Sequence, residues 1–385
     1  MPASPRSLPS FCLILGVVLI VGLAPALPAY AQSDPDPSRS DSTAADSTAA
    51  KDASGDWLLL PFLAYEPKTK LSTGVVAGYF QPSRSGQVPS SVQAVLTVTQ
   101  ERQLIIQVEP EIYLQGGRYR IAGETIGSRF PDQFFGIGGD TPDRLAEDFT
   151  SRYLTLEATA QRRIDTGSDR STLQIGPRVF SRFESVTKVE DGQALDTGAI
   201  AGADGGTTLG LGGGMLLEAR DNVYYPRHGH FAEVTALWHS AAIGSDFTFA
   251  RLRADLRGYR SGGPVVFAGN VYVEGVAGTP PFQILPLLGG SSRMRGYREG
   301  RYRDTVYWTT QAEVRVPLFW RFGTTAFASA GEVGPRVGAD LFDEMQLAAG
   351  LGGRLRLNEE GVHGRVDLAY GANGLELYLS LREAF

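Results

Sequence analysis

The sequence predicts an all-β fold, a sixteen-stranded antiparallel transmembrane β-barrel, and three observations carry that prediction. Apolar and polar residues alternate with period two from Trp57 to Phe385. The alternating segments number sixteen, an even count that suits a bacterial barrel. The connections after even-numbered segments are mostly short and several after odd-numbered ones are long, as periplasmic turns and extracellular loops are. The pattern is plainest near the end, where Val362, Val366, Leu368 and Tyr370 alternate with His363, Arg365 and Asp367. A soluble sandwich could bury such apolar rows against a second sheet, but it seldom carries charges on the opposite face of nearly every strand.

The first segment, 1–31, predicts an export signal. Arg6 is its only charge, Phe11 to Leu23 is apolar, and Ala29-Tyr30-Ala31 has the small-x-small form of a cleavage site. That apolar run is shorter than the ~20 residues of a spanning helix. Cys12, the one cysteine, lies inside it, so the exported chain has no disulfide, and the formal charge moves from −6 to −7 with the loss of Arg6. Residues 32–56 repeat Asp-Ser-Thr-Ala-Ala at 41–45 and 46–50 and predict a disordered acidic leader with too little apolar surface to fold.

Residues 57–385 form the predicted barrel. Its strands are expected at 57–66, 70–80, 89–99, 101–113, 118–127, 149–162, 171–184, 206–218, 229–240, 245–259, 265–277, 304–317, 322–332, 345–357, 362–371 and 374–384. Connections after even strands are mostly short, such as Gln115-Gly116-Gly117, whereas 128–148, 185–205 and 278–303 follow odd strands. This asymmetry predicts that both ends of the barrel lie in the periplasm. Trp57, Phe62, Tyr79, Phe80, Tyr307, Trp308, Phe319 and Trp320 recur near strand ends, where aromatic rings favour the headgroup level. Phospholipid and lipopolysaccharide-type lipids are the partners implied for the outer face.

The loop Leu288-Gly289-Gly290-Ser291-Ser292-Arg293-Met294-Arg295-Gly296-Tyr297 places arginine among glycines, with Glu313 a possible carboxylate partner one strand later. It reads as an arginine tucked into a cavity, the alternative being a solvated loop. Met294-Arg295-Gly296-Tyr297 resembles the arginine-glycine-aromatic motif of the outer membrane protein 85 superfamily, the BamA/TamA-type surface antigens. Gln311 to Leu318 resembles the family's next strand, and Asp221 to Gly229, with Pro226, resembles a family turn. The resemblance implies that the loop lies between strands eleven and twelve and folds into the lumen, where Arg295 pairs with Glu313. Ser329, in Phe327-Ala328-Ser329-Ala330-Gly331, stands where the family carries a second acid; one clear carboxylate then remains, and Ser329→Asp is expected to tighten the loop. Phe385 resembles the terminal aromatic of the insertion signal, with Glu383 a departure from its apolar alternation. This implies the outer-membrane insertion machinery as a partner during biogenesis. The function implied is outer-membrane biogenesis, insertion or translocation of unfolded protein clients, in a member whose leader leaves no room for POTRA domains. A passive pore and a structural surface antigen are the alternatives.

The remaining patterns exclude more than they add. The acidic balance gives no support to nucleic acid as a partner. No histidine falls in a catalytic motif, so no enzyme activity and no cofactor are expected. His228-x-His230 could hold a metal, although a plain turn is the simpler reading and no metal is expected. The glycines at 205–206 and 210–214 have no following lysine and read as strand glycines that let a barrel bend. Asp132 to Pro142 is expected to be a surface loop, with a calcium or partner site conceivable. Arg251, Arg253, Asp255 and Arg257 point inward by parity, either to guide anionic solutes or as an ion-pair ladder.

Overall fold

The computed structural model describes residues 55–81, 89–168, 170–372 and 374–385. The predicted signal segment and nearly all of the leader lie outside the described residues. The barrel strands are β1 Asp56–Glu66, β2 Lys70–Phe80, β3 Ser91–Thr99, β4 Leu104–Leu114, β5 Tyr119–Phe134, β6 Glu147–Ile164, β7 Thr172–Lys188 and β8 Gly205–Glu218. They continue as β9 Gly229–His239, β10 Phe249–Gly262, β11 Val265–Gly278, β12 Val306–Pro317, β13 Phe322–Gly334, β14 Gln346–Arg356, β15 His363–Gly371 and β16 Gly374–Leu381. Each strand pairs antiparallel with its neighbours in sequence, and β1 meets β16 to close the barrel.

Register shows why the period of two is needed. Phe267, Val271 and Val273 of β11 lie opposite Val314, Thr310 and Trp308 of β12 on the outer face, while Ala268 and Asn270 oppose Glu313 and Gln311 inside. The outer rows keep Leu59, Leu211, Leu351 and Leu375 exposed, as a lipid-facing wall requires. Trp57, Phe319 and Trp320 are exposed at strand ends.

Several boundaries differ from expectation. β5 runs on to Phe134, β6 starts at Glu147 and β7 ends at Lys188, so the segment expected as a loop from Asp132 begins as strand. Above the membrane the outward positions need not be apolar, so Gln133 and Asp148 continue the ladder without the alternation that marks it lower down. In the opposite sense, 245–248 is not strand: Ser240 caps a short 3-10 turn at Ala241–Ile243, and β10 begins at Phe249.

The connection from β11 to β12 fills much of the interior. Leu287–Leu288 pairs with Tyr302–Arg303 as a short ribbon inside it. Met294 and Tyr297 pack with Tyr272, Leu288, Tyr302 and Tyr307, and Phe282, Ile284 and Leu285 join Phe134, Phe149, Phe180 and Phe249. The core of this barrel is thus the loop packed against the inner wall.

Candidate functional site: a loop latched across the lumen

Gly289, Gly290 and Gly296 take φ values of 107, 101 and 105°, a region that side chains rarely adopt, and these turns fold the loop back on itself. At Gly296 an added Cβ would stand 3.0 Å from Ala348 of β14 and 3.2 Å from the backbone of Gly371 at the end of β15. The loop therefore lies directly on the wall, and Arg295 beside it is 1% exposed.

A buried guanidinium needs carboxylates in fork geometry. One nitrogen of Arg295 donates to Glu313 on β12, and the other donates to Asp367 on β15 at 2.7 Å. The guanidinium also stacks on the Phe327 ring of β13, 3.6 Å from its centre. Glu313 is held in turn by Arg315 at 2.8 Å, and Asp367 by Arg354 at 2.6 Å and Arg365 at 3.4 Å. Arg354 also reaches Glu383 at 2.8 Å. Four arginines and three carboxylates thus form one network, in which nearly every charge has an opposite neighbour.

Tyr297 extends the latch. Its hydroxyl donates to the Leu347 carbonyl at 3.0 Å and accepts from the Ala372 amide at 3.2 Å. On β16, the Tyr378 hydroxyl accepts from the Gly296 amide at 2.9 Å and donates to the Tyr297 carbonyl at 3.2 Å. At the other side of the closure Lys68, in the β1–β2 turn, reaches Glu299 of the loop at 3.2 Å. Asp132 joins Lys68 at 3.4 Å and Arg298 at 2.7 Å. Burial works to lower the Lys68 pKa, but Asp132 and Glu299 outweigh it and the ammonium is held above its ordinary value. The loop is therefore fastened to β16 and to the turn that follows β1. The pairing of β1 with β16 is itself slight: among the described residues Tyr65 stands opposite Leu379 between these strands, whereas all eleven residues of β1 pair with β2.

Two expectations about these residues need correction. The single-carboxylate latch is wrong, because Asp367 supplies a second acid two strands from Ser329. Ser329 faces the same lumen between Phe327 and Gly331, but its hydroxyl has no hydrogen-bond partner among the described residues. Phe385 is not at the end of the lipid-facing leucine row. Strand β16 stops at Leu381, and Phe385 is buried with Tyr259 and Ala268 inside the barrel. Arg315 donates to its main-chain oxygen at 3.0 Å, and the Glu383–Arg354 pair turns the tail inward. The residue that breaks the apolar alternation is the one that makes this path.

The turn at 219–228 closes on itself and reaches across the opposite mouth. Asp221 accepts from the amides of Arg227 and His228 at 2.9 and 3.1 Å, and Asn222 accepts from those of Tyr224 and Tyr225 at 2.7 and 2.9 Å. Pro226 follows this pair, and Gly229, at φ 101°, starts β9 where an added Cβ would collide with the Ala219 carbonyl. Asn222 also donates to the Glu360 carbonyl at 3.0 Å, and the Tyr225 ring lies 4.6 Å from that of His363. Burial and nearby Glu383 push the Tyr225 hydroxyl above its ordinary pKa. His228 bonds Ser261 at 2.8 Å, which matches a turn role.

A family model, the Omp85 superfamily domain, matches residues 144–373, more than half of the chain. The chain belongs to the Omp85 superfamily. The fold is similar to that of BamA from Haemophilus ducreyi lacking POTRA domains 1-3, with 13% identity, a TM-score of 0.57, and coverage of 86% of this chain and 70% of that one. It is also similar to CdiB from Escherichia coli, with 11% identity, a TM-score of 0.59, and coverage of 85% and 62%. CdiB from Acinetobacter baumannii gives 11%, 0.54, 84% and 59%, so this chain spans less than two thirds of either CdiB. No curated protein matches it in sequence. As an Omp85-type barrel the protein is an outer-membrane protein, and the outer band of leucines and aromatics faces lipid. Inside this Omp85 barrel the inward row of β10 is an ion-pair ladder: Arg253 meets Glu274 at 3.3 Å and Arg257 meets Asp255 at 2.6 Å.

Proposed function

We propose that this Omp85 barrel inserts or translocates outer-membrane or secreted protein clients by opening between β1 and β16, with the latched loop as the element that keeps the closure in place. The observation that carries this reading is the slight pairing of β1 with β16, bridged from inside by Tyr378 on one strand and the Lys68 turn beside the other. An unpaired strand edge is a template for another strand, so an opened closure offers a client backbone hydrogen bonds that lipid cannot. No catalytic chemistry is assigned to the barrel in this reading. The loops after odd strands face the exterior, both barrel ends face the periplasm, and the insertion machinery assembles the protein itself.

Depletion of the protein is expected to lower several other outer-membrane proteins in a quantitative comparison of the membrane, and the wild-type chain to restore them. Opposed residues place their Cβ atoms roughly 5 Å apart, so Tyr65→Cys with Leu379→Cys is expected to form a disulfide across the closure. That variant should restore the client proteins only under reducing conditions. Equal restoration when oxidised would exclude opening at this place, and an unchanged membrane on depletion would exclude the client role.

A further inference from the structure

On the outer wall, the sequence carries two arginines where lipid should be. Outward positions of β5 and β6 begin with Tyr119 opposite Arg162 at one end of the barrel. They then run uncharged through Ile121, Thr125, Leu154 and Leu156, and reach Arg129 opposite Arg152. Ten residues separate the two levels on each strand, about 33 Å along a strand and about 25 Å across a bilayer at ~40° of tilt. Arg129 and Arg152 therefore stand at the headgroup level of the leaflet on the long-loop side. Among the described residues they are the one pair of charges directly opposed across strands on the lipid-facing side.

Like charges placed opposite one another repel, and this pair has no acidic partner. Arg129 donates to the Arg102 carbonyl at 3.1 Å, and Arg152 makes no hydrogen bond or ion pair among the described residues. Directly below, a groove of about 440 Å³ runs over Gly127, between Leu104 and Ile106 on one side and Leu154 and Phe183 on the other. A Cβ at Gly127 would have no neighbour closer than 4.0 Å, so the floor of the groove is open there.

The geometry points to a binding site for one phosphorylated, multiply acylated glycolipid of the outer leaflet, its phosphate shared by Arg129 and Arg152 and one acyl chain lying over Gly127. An anion between the guanidiniums removes their repulsion and accepts charge-assisted hydrogen bonds from both, and the groove selects for a ligand that is also a lipid. The choice of glycolipid rests on the orientation proposed above, and the site is independent of any client role.

The test is native mass spectrometry of the full barrel in detergent micelles with bis-phosphorylated lipid A, phosphatidylglycerol or inorganic phosphate as probes. The wild type is expected to retain one lipid A. Arg129→Gln with Arg152→Gln is expected to weaken retention about tenfold or more, as the loss of a charge-assisted hydrogen bond does. Gly127→Leu fills the groove and should weaken it with both charges in place. Heat-modifiable migration verifies that each variant is folded, and a failed Gly127→Leu barrel leaves the arginine pair to decide. Equal retention by the double variant would overturn the site. So would phosphatidylglycerol binding as well as lipid A, or displacement of lipid A by inorganic phosphate.

Discussion

Arg295 shows how far a single residue could be understood from sequence. Its setting among glycines and the next-strand position of Glu313 pointed to a buried pair, because both features are local. Asp367 was on a strand whose inward parity was visible, yet it lies 72 residues away, and the approach of loop to wall is not set by strand register. The phenyl ring of Phe327 was likewise seen as motif and not as the surface beneath the guanidinium. Removing Arg295 leaves Glu313 with Arg315 and Asp367 with Arg354, so Arg295→Ala should cost less than the ~3–5 kcal/mol of a fully orphaned buried ion. Arg295→Ala and Asp367→Ala together should fall short of the sum of the two by ~0.5–3 kcal/mol, read from the temperature at which heat-modifiable migration is lost. Strict additivity would show that they do not act as a pair. Ser329→Asp is expected to destabilise, the reverse of the expectation from sequence, because it adds a buried carboxylate where Arg295 already serves two. A higher transition temperature would refute this.

Among the elements, the strands were legible wherever one face met lipid, since alternation there is enforced by the bilayer itself. It ceased to be a guide where β5, β6 and β7 rise beyond the membrane. The fastening of the long loop to β16 was not legible either, since Tyr378 alternates with leucines as any inward tyrosine would. Tyr378→Phe leaves the buried Gly296 amide without its acceptor, at a cost of ~1–3 kcal/mol. Faster amide exchange in β1 and β16 with unchanged exchange in β7 and β8 is the expected result, and uniform exchange would detach the loop from the closure. Gly229→Ala tests the turn: positive φ and the Ala219 carbonyl both oppose a side chain, so a loss greater than ~1 kcal/mol is expected. An unaltered transition temperature would show that the turn adapts.

For the whole molecule, the sidedness proposed from loop lengths can be tested directly, because Cys12 is the only cysteine in the sequence and lies in the predicted export signal. Asp191→Cys, in the long β7–β8 connection, should react with an impermeant thiol reagent on intact cells. Gly263→Cys, in the β10–β11 turn, should react only after the outer membrane is breached. The opposite pattern would invert the barrel. Strand length adds a mechanical consequence to this arrangement. β6 has 18 residues, whereas β15 and β16 have 9 and 8. Eight residues at ~3.3 Å each and ~40° of tilt span about 20 Å, less than the ~25 Å apolar band of such barrels. The lipid-facing wall is therefore lower at β16 than at β6, and hydrophobic mismatch with the bilayer is concentrated on that side of the closure.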